Sequence, residues 1–149
     1  MNTVIINILC EGQTEERFVS KVMKPYLKDY GIVLKPRILL TSKKKNQRGG
    51  MINYSQAKRD VENWISENRN RKSETHYYTT MFDFYALPSD FPCMDEIEKY
   101  TDAYGKVSAV ERAMTEKFQV SNFVPYIQLH EFEALLFSDI SKIVDRFPK

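Results

Sequence analysis

The stretch TVIINILCEGQTEERFV, residues 3–19, decides the fold class. Its first eight residues form a nearly continuous β-branched and apolar run, which is typical of a strand buried on both faces of a parallel sheet. Glu11 and Gly12 end that run, and a helical repeat of apolar residues follows, with Thr14 as its predicted cap. A carboxylate placed directly after a buried strand is costly unless it has a partner or a role. Glu11 is therefore the first candidate functional residue.

The remaining chain repeats this alternation of strands and helices. Further strands are predicted at 32–40, 76–84 and 122–129, and helices at 54–68, at 106–118 and over 130–147, the last divided near Ser138. Pro36 places the second strand at an edge or a bulge. The pattern predicts an α/β fold with an open, mostly parallel four-stranded sheet and helices on both faces. In such sheets, functional sites gather outside the carboxyl ends of the strands.

Composition restricts the class of protein further. The 149 residues carry a net charge of only +2, so overall charge does not predict a nucleic-acid binder, and the length predicts one domain over 1–149. Two cysteines, Cys10 and Cys93, form no disulfide framework or zinc motif. The amino-terminal apolar run is too short for a signal peptide, and no stretch approaches the ~20 apolar residues of a membrane span. We expect a cytoplasmic protein with no membrane association.

Acidic residues follow three of the four predicted strands. Glu11 follows the first strand, Asp83 ends the third, and His130, Glu131 and Glu133 follow the fourth. Because neighbouring strands lie about 5 Å apart, these carboxylates could share one small cation, and hard oxygen ligands suit Mg²⁺ or Mn²⁺. If the HEFE segment is helical, Glu133 faces the site and shares a face with His130, which is the interpretation we favour. If it is extended, Glu131 and Glu133 point the same way.

Each of these residues also has a structural interpretation. Glu11 could accept backbone N–H groups of the following helix, and Asp83 could be an ordinary turn residue. His130 could be a metal ligand, a proton shuttle or a phosphate anchor, although a histidine bonded to a backbone carbonyl is the commoner case. The joint pattern at one sheet edge favours the functional interpretation.

A basic loop follows the second predicted strand. It contains Lys43, Lys44, Lys45 and Arg48 and ends in a glycine pair. Beside an acidic metal pocket, such a loop could hold a phosphodiester backbone. A solvated polar loop is the alternative. The chain has no GxGxxG after its first strand, no Walker lysine and no GxSxG motif, so dinucleotide binding, P-loop hydrolysis and serine-hydrolase chemistry lack their signatures.

The glutamate-glycine after the first strand and the aspartate after a later one resemble the Toprim domain of topoisomerases, primases and OLD-family nucleases. Three stretches resemble more closely a bacterial family, domain of unknown function 4276. They are EGQTEERFV (11–19), TTMFDFYALPSDFP (79–92) and FVPYIQLHEFEALLFSD (123–139). The resemblance implies a compact Toprim-like sheet. It also implies a truncated or early carboxyl-terminal end, because members of that family tend to be longer.

The resemblance also implies roles for individual residues. Glu11 matches the Toprim glutamate, a general acid or base, and Asp83 matches the first aspartate of the metal-binding DxD motif. Tyr85 stands where the second aspartate would be, so the metal lacks one ligand unless Glu131 or Glu133 supplies it. Family members are often encoded beside an AAA or ABC-type ATPase, which implies an ATPase partner and a role in phage or plasmid defence.

Three hypotheses follow. The first is a Mg²⁺- or Mn²⁺-dependent nuclease, or a related phosphoryl-transfer enzyme on DNA or RNA, in which Glu11, Asp83 and Glu133 hold metal or transfer protons. The second is a non-catalytic Toprim-like module that binds nucleic acid or nucleotide or docks onto a partner, as favoured by Tyr85. The third makes the carboxylates elements of stability alone. The sequence does not define the oligomeric state.

Overall fold

The structure is a computed structural model that describes residues 3–39, 53–69 and 73–146. Within these residues the strands are β1 (Thr3–Cys10), β2 (Ile32–Ile38), β3 (Glu74–Asp83) and β4 (Ile127–Gln128). The α-helices are α1 (Gln13–Phe18), α2 (Lys24–Lys28), α3 (Tyr54–Asn68), α4 (Ala103–Phe118) and α5 (Ile140–Arg146). A π-helical turn (Val19–Met23) joins α1 to α2, and 3₁₀ segments cover Phe84–Ala86, Met94–Lys99 and Phe132–Asp139.

The four strands form one sheet in the order β2-β1-β3-β4, and every pairing is parallel. This confirms the predicted α/β class and four-stranded sheet. β1 and β3 are the two central strands, and the edge position of β2 fits the presence of Pro36 within it. The carboxyl ends of β1 and β3 therefore lie side by side at the middle of one sheet edge.

Helices pack on both faces of the sheet because side chains of each strand alternate between the faces. Leu9 and Phe82 belong to the larger core, with residues of α3 and α4. Ile8 and Cys10 belong to the smaller core, with Val19 and neighbouring residues of the α1–α2 helix. The predicted two-sided arrangement is confirmed.

The helix after β1 begins two residues earlier than a Thr14 cap would place it. Gly12 is the cap residue, and its N–H donates to Oε2 of Glu15 at 2.9 Å. The helix widens into the π-helical turn just before Pro25. After it, Gly31 adopts a φ of 72° and leads the chain into β2.

The predicted fourth strand, 122–129, is wrong in its length. Only Ile127–Gln128 is a strand, preceded by an isolated bridge between Tyr78 and Phe123. Pro125 has no N–H to donate. Next to it, Oγ1 of Thr80 bonds both the N–H and the carbonyl oxygen of Tyr126, at 3.0 and 2.8 Å. A threonine side chain thus replaces the backbone ladder at this point.

Candidate functional site

Glu11 lies at the carboxyl edge, directly after β1. Its N–H donates to the carbonyl oxygen of Met81 at 3.2 Å, which continues the β1–β3 ladder by one residue. Its side chain is half-buried and turns toward β3, where Oε2 accepts the N–H of Asp83 at 3.3 Å. The neighbouring strand therefore fixes the position of the Glu11 carboxylate.

Asp83 is the last residue of β3, and it is hydrogen-bonded both to Glu11, directly after β1, and to the segment after β4. Its Oδ2 accepts the N–H of Phe132 at 3.2 Å. Its main-chain N–H is the donor to Glu11, and its register partner on β4 is Gln128. Glu11, Asp83 and the start of the 3₁₀ segment thus form a connected chain of hydrogen bonds.

The HEFE segment differs from the favoured expectation. The 3₁₀ segment begins at Phe132, so His130 and Glu131 precede it and Glu133 lies in its first turn. Phe132 is the buried residue, 5 % exposed, whereas His130, Glu131 and Glu133 are exposed. Glu133 is exposed and not buried because the Phe132 ring takes the buried position, packing edge-to-face on Phe18 with centroids 5.1 Å apart. That Glu133 serves the site stays a prediction; its charge does act on Asp83.

The two central carboxyl groups have raised pKa values. Burial is the main cause of the raised pKa of Glu11; the N–H of Asp83 opposes it, and the charges of Asp83 and Glu15 add to it. Burial also raises the pKa of Asp83, against the N–H of Phe132, and the charges of Glu15, Glu133 and Glu131 add to this. Five carboxyl groups therefore repel one another at this edge, and the repulsion would be relieved by a cation or a proton.

Glu15 is a member of this group that the sequence analysis did not assign to the site. It is only 8 % exposed because its carboxylate folds back to the N–H of Gly12. The signal was present in the sequence, since an acidic residue three positions after a helix cap is the capping-box spacing. Its charge raises the pKa of both Glu11 and Asp83.

Tyr85 lies in the 3₁₀ turn after β3 and is 72 % exposed. Lys43, Lys44, Lys45 and Arg48 lie outside the described residues. Within the described part of the chain, no three His, Cys, Asp or Glu side chains are grouped closely enough to hold a metal ion. The carboxyl edge therefore offers a pair of adjoining carboxylates, Glu11 and Asp83, with further acidic side chains around them.

The fold and the site together define a class of α/β protein. It has an open parallel sheet and a pair of carboxylates at the carboxyl ends of the two central strands. The chain belongs to the family described as a domain of unknown function, DUF4276, whose model matches residues 10–149. No curated protein and no solved structure matches the chain. None of the helices in the described segments is long and apolar enough to cross a membrane.

Proposed function

We propose that this chain is a Mg²⁺- or Mn²⁺-dependent nuclease of Toprim type, or a related phosphoryl-transfer enzyme, acting on DNA or RNA. The observation that supports it is the coupling of Glu11 and Asp83 across the two central strands, with both pKa values raised by burial and by neighbouring negative charge. Carboxyl groups with pKa values raised by burial and by like charge are typical of functional sites.

The carboxylate pair fits a Mg²⁺ ion in its donor chemistry. Each carboxylate uses one oxygen for a backbone N–H, Oε2 in Glu11 and Oδ2 in Asp83. The other oxygens, Oε1 and Oδ1, accept no hydrogen bond from the described residues. Mg²⁺ is commonly held by one or two protein carboxylates, and waters and substrate phosphates complete its shell. A third protein ligand is therefore not required.

The roles of the residues follow from their surroundings. Asp83 would serve as a metal ligand through Oδ1, since its Oδ2 is tied to the N–H of Phe132. Glu11, with its raised pKa, is suited to exchange a proton with the attacking water or the leaving oxygen. Glu131 and Glu133 are exposed at the rim, where they could complete the shell through water, and His130 lies beside them. A bound metal ion would neutralise charge developing on the phosphoryl oxygens.

The remaining parts of the proposal concern partners. We propose that Lys43, Lys44, Lys45 and Arg48, whose positions lie outside the described residues, contact the phosphodiester backbone. A partner ATPase of the AAA or ABC type would couple the nuclease to phage or plasmid defence in the cytoplasm.

Manganese binding tests the proposal before any substrate is known. We expect calorimetry to detect a Mn²⁺ site in the wild type and anomalous scattering to locate it at Glu11 and Asp83. Glu11→Gln keeps an oxygen for the N–H of Asp83 and should weaken the site strongly. An edge that stays empty at millimolar Mn²⁺, both alone and with a short single-stranded oligonucleotide, would contradict catalysis by this chain alone.

A second candidate function is a non-catalytic Toprim-like module that binds nucleic acid or nucleotide or docks on a partner. Two observations favour it, Tyr85 at the second DxD position and the lack of a three-residue metal cluster among the described residues. Such a module would retain its binding after Glu11→Gln, whereas the nuclease would lose activity.

A further inference from the structure

An apolar cleft of about 440 Å³ opens on the sheet face that carries the α1–α2 helix. Its floor includes Ile8 and Met81 from the two central strands. Met23 of the π-helical turn also lines it, as do Phe132 and Leu135 of the 3₁₀ segment. Its volume is in the range of small-molecule sites, roughly 300–1,000 Å³. The cleft spans three strands, since Leu34 of β2 lines it together with residues of β1 and β3.

The cleft adjoins the carboxylate pair. Phe132, which lines it, donates its N–H to Asp83, and Gln128, which also lines it, is the register partner of Asp83. A molecule in the cleft therefore lies next to whatever the carboxylates hold.

One polar side chain inside the cleft has an unused donor. Gln128 is 8 % exposed, and its Oε1 accepts a hydrogen bond from the hydroxyl of Tyr126. Its Nε2 donates to no group among the described residues. A buried amide with free N–H groups beside an apolar cleft can bind an acceptor on a ligand.

Charge restricts what can enter the cleft. No Lys, Arg, His, Asp or Glu is among its described lining residues. The charged groups beside the cleft are acidic: Asp83 accepts the N–H of Phe132, and burial together with the charges of Glu111 and Asp83 raises the pKa of Tyr126, which lines the cleft. A phosphate or a fatty-acid carboxylate would find no counter-charge, whereas a flat, uncharged ring with polar edges would fit.

We propose that the cleft takes the unstacked base of a single-stranded nucleotide whose phosphate would bind the metal ion proposed at Glu11 and Asp83, with the Gln128 amide reading the base edge. This inference rests on the proposed function and specifies its substrate. The base would lie against Phe132 and the aliphatic side chains of the cleft, as bases do on apolar and aromatic surfaces of single-strand binders. A glutamine amide can both donate to and accept from a base edge.

Free nucleosides test the cleft without phosphate or metal. In protein labelled with ¹³C at the methionine methyl groups, Met23 and Met81 report on the cleft, whereas Met94 and Met114 pack with the core on the other sheet face. We expect millimolar adenosine, guanosine, cytidine or uridine to shift the Met23 and Met81 methyl signals through ring currents. The signals of Met94 and Met114 should not move.

Three variants test the assignment. Gln128→Leu removes the amide at similar size and should weaken nucleoside binding about fivefold to tenfold and reduce discrimination among bases. Gln56→Leu, on α3 at the opposite face, is the matched control and should bind like the wild type. Leu135→Glu changes a wall residue that is already 42 % exposed, so it should fold and abolish the shifts.

The outcomes separate this inference from the proposed function. Nucleoside shifts at Met23 and Met81 in a protein that binds no Mn²⁺ would support the base site and contradict the metal enzyme. Mn²⁺ binding without any nucleoside shift would overturn the base site alone. Shifts that are equal in wild type and Leu135→Glu would also overturn it, because the bases would then bind elsewhere. Binding of saturated apolar molecules but of no nucleoside would assign the cleft to an apolar ligand or protein side chain instead.

Discussion

Replacing Glu11 by Gln should make the metal-free protein more stable at neutral pH. The physical reason is that burial and the charges of Asp83 and Glu15 raise the pKa of Glu11 more than the Asp83 N–H lowers it. Folding therefore favours the protonated form of Glu11. The stability this provides is fully present below the unfolded-state pKa and is lost as pH rises through the higher folded-state pKa. Glutamine imitates the protonated carboxyl group and removes the penalty at high pH.

The expected gain is small because Glu11 is only half-buried. Repulsion between partly exposed carboxylates is screened by water and contributes about 1 kcal/mol. The bond from the Asp83 N–H weakens when its acceptor becomes neutral, which offsets part of the gain. We expect Glu11→Gln to raise the free energy of unfolding by about 0.5 kcal/mol at pH 7.5, or about 1–2 °C in Tm. The difference from wild type should shrink as pH falls toward the ordinary pKa of glutamate.

Magnesium should reverse the ranking of the two proteins. At a Mg²⁺ concentration ten times its Kd, binding to the folded wild type adds about 1.4 kcal/mol, or about 3–6 °C in Tm. Glu11→Gln should show little of this increase. Differential scanning calorimetry measures the Tm of both proteins, with EDTA and with Mg²⁺, at pH 5 and at pH 7.5.

Glu111→Gln is the matched control for this experiment. Glu111 is also half-buried, its Oε1 accepts one strand N–H, that of Ile127, at 2.9 Å, and burial raises its pKa. It is not among the charges that raise the pKa of Glu11 or Asp83. Glu111→Gln should therefore leave the Mg²⁺ response intact. A lower Tm for metal-free Glu11→Gln, with no Mg²⁺ response in wild type, would refute the reasoning and make Glu11 a stability element.

Three further predictions concern the surrounding structure. Phe132→Ala removes a buried ring and its contact with Phe18, and should lower the free energy of unfolding by about 3 kcal/mol in urea titrations. Iodoacetamide at pH 8 should modify the partly exposed Cys93 first, because burial raises the pKa of Cys10 to about 12; mass spectrometry should find Cys10 modified only after unfolding. Gly31→Ala should cost about 1 kcal/mol by the same titration because of the positive φ, although space around a new Cβ is open; an unchanged midpoint would contradict the strain.

The sheet could be predicted from sequence because its signals are local. The β1 run and the glutamate-glycine after it gave the first strand its observed bounds, Thr3–Cys10, and α3 also begins and ends as predicted, at Tyr54 and Asn68. The order of the strands in the sheet could not be predicted from such local signals, since it depends on contacts between residues that are distant in the chain. The shortening of β4 has the same origin, because the Thr80 side chain that replaces the ladder lies on another strand.

The orientation of the side chains after β4 was harder to predict from sequence, because it depends on a contact with a distant residue. In LHEFE, both the helical and the extended interpretation give a plausible acidic face. The choice depended on where Phe132 finds an apolar partner, and Phe18, more than a hundred residues earlier, provides it. Burial of one aromatic ring is worth more than placing one carboxylate in a site that already carries negative charge. Glu133 is therefore left at the rim.

The contrast between the two sides of the Glu11–Asp83 pair argues for a substrate-assisted metal site. Toward the protein, each carboxylate is fixed by one backbone N–H. Toward solvent, each keeps a second oxygen, and Tyr85 supplies no third carboxylate there. A metal ion held by two protein oxygens binds weakly until phosphate oxygens complete its shell. Metal and nucleic acid should therefore bind cooperatively, and by linkage each should raise the affinity of the other by the same factor. On that argument, Mn²⁺ affinity measured with a short single-stranded oligonucleotide should exceed the affinity without it, and equal affinities would leave the non-catalytic module as the better description.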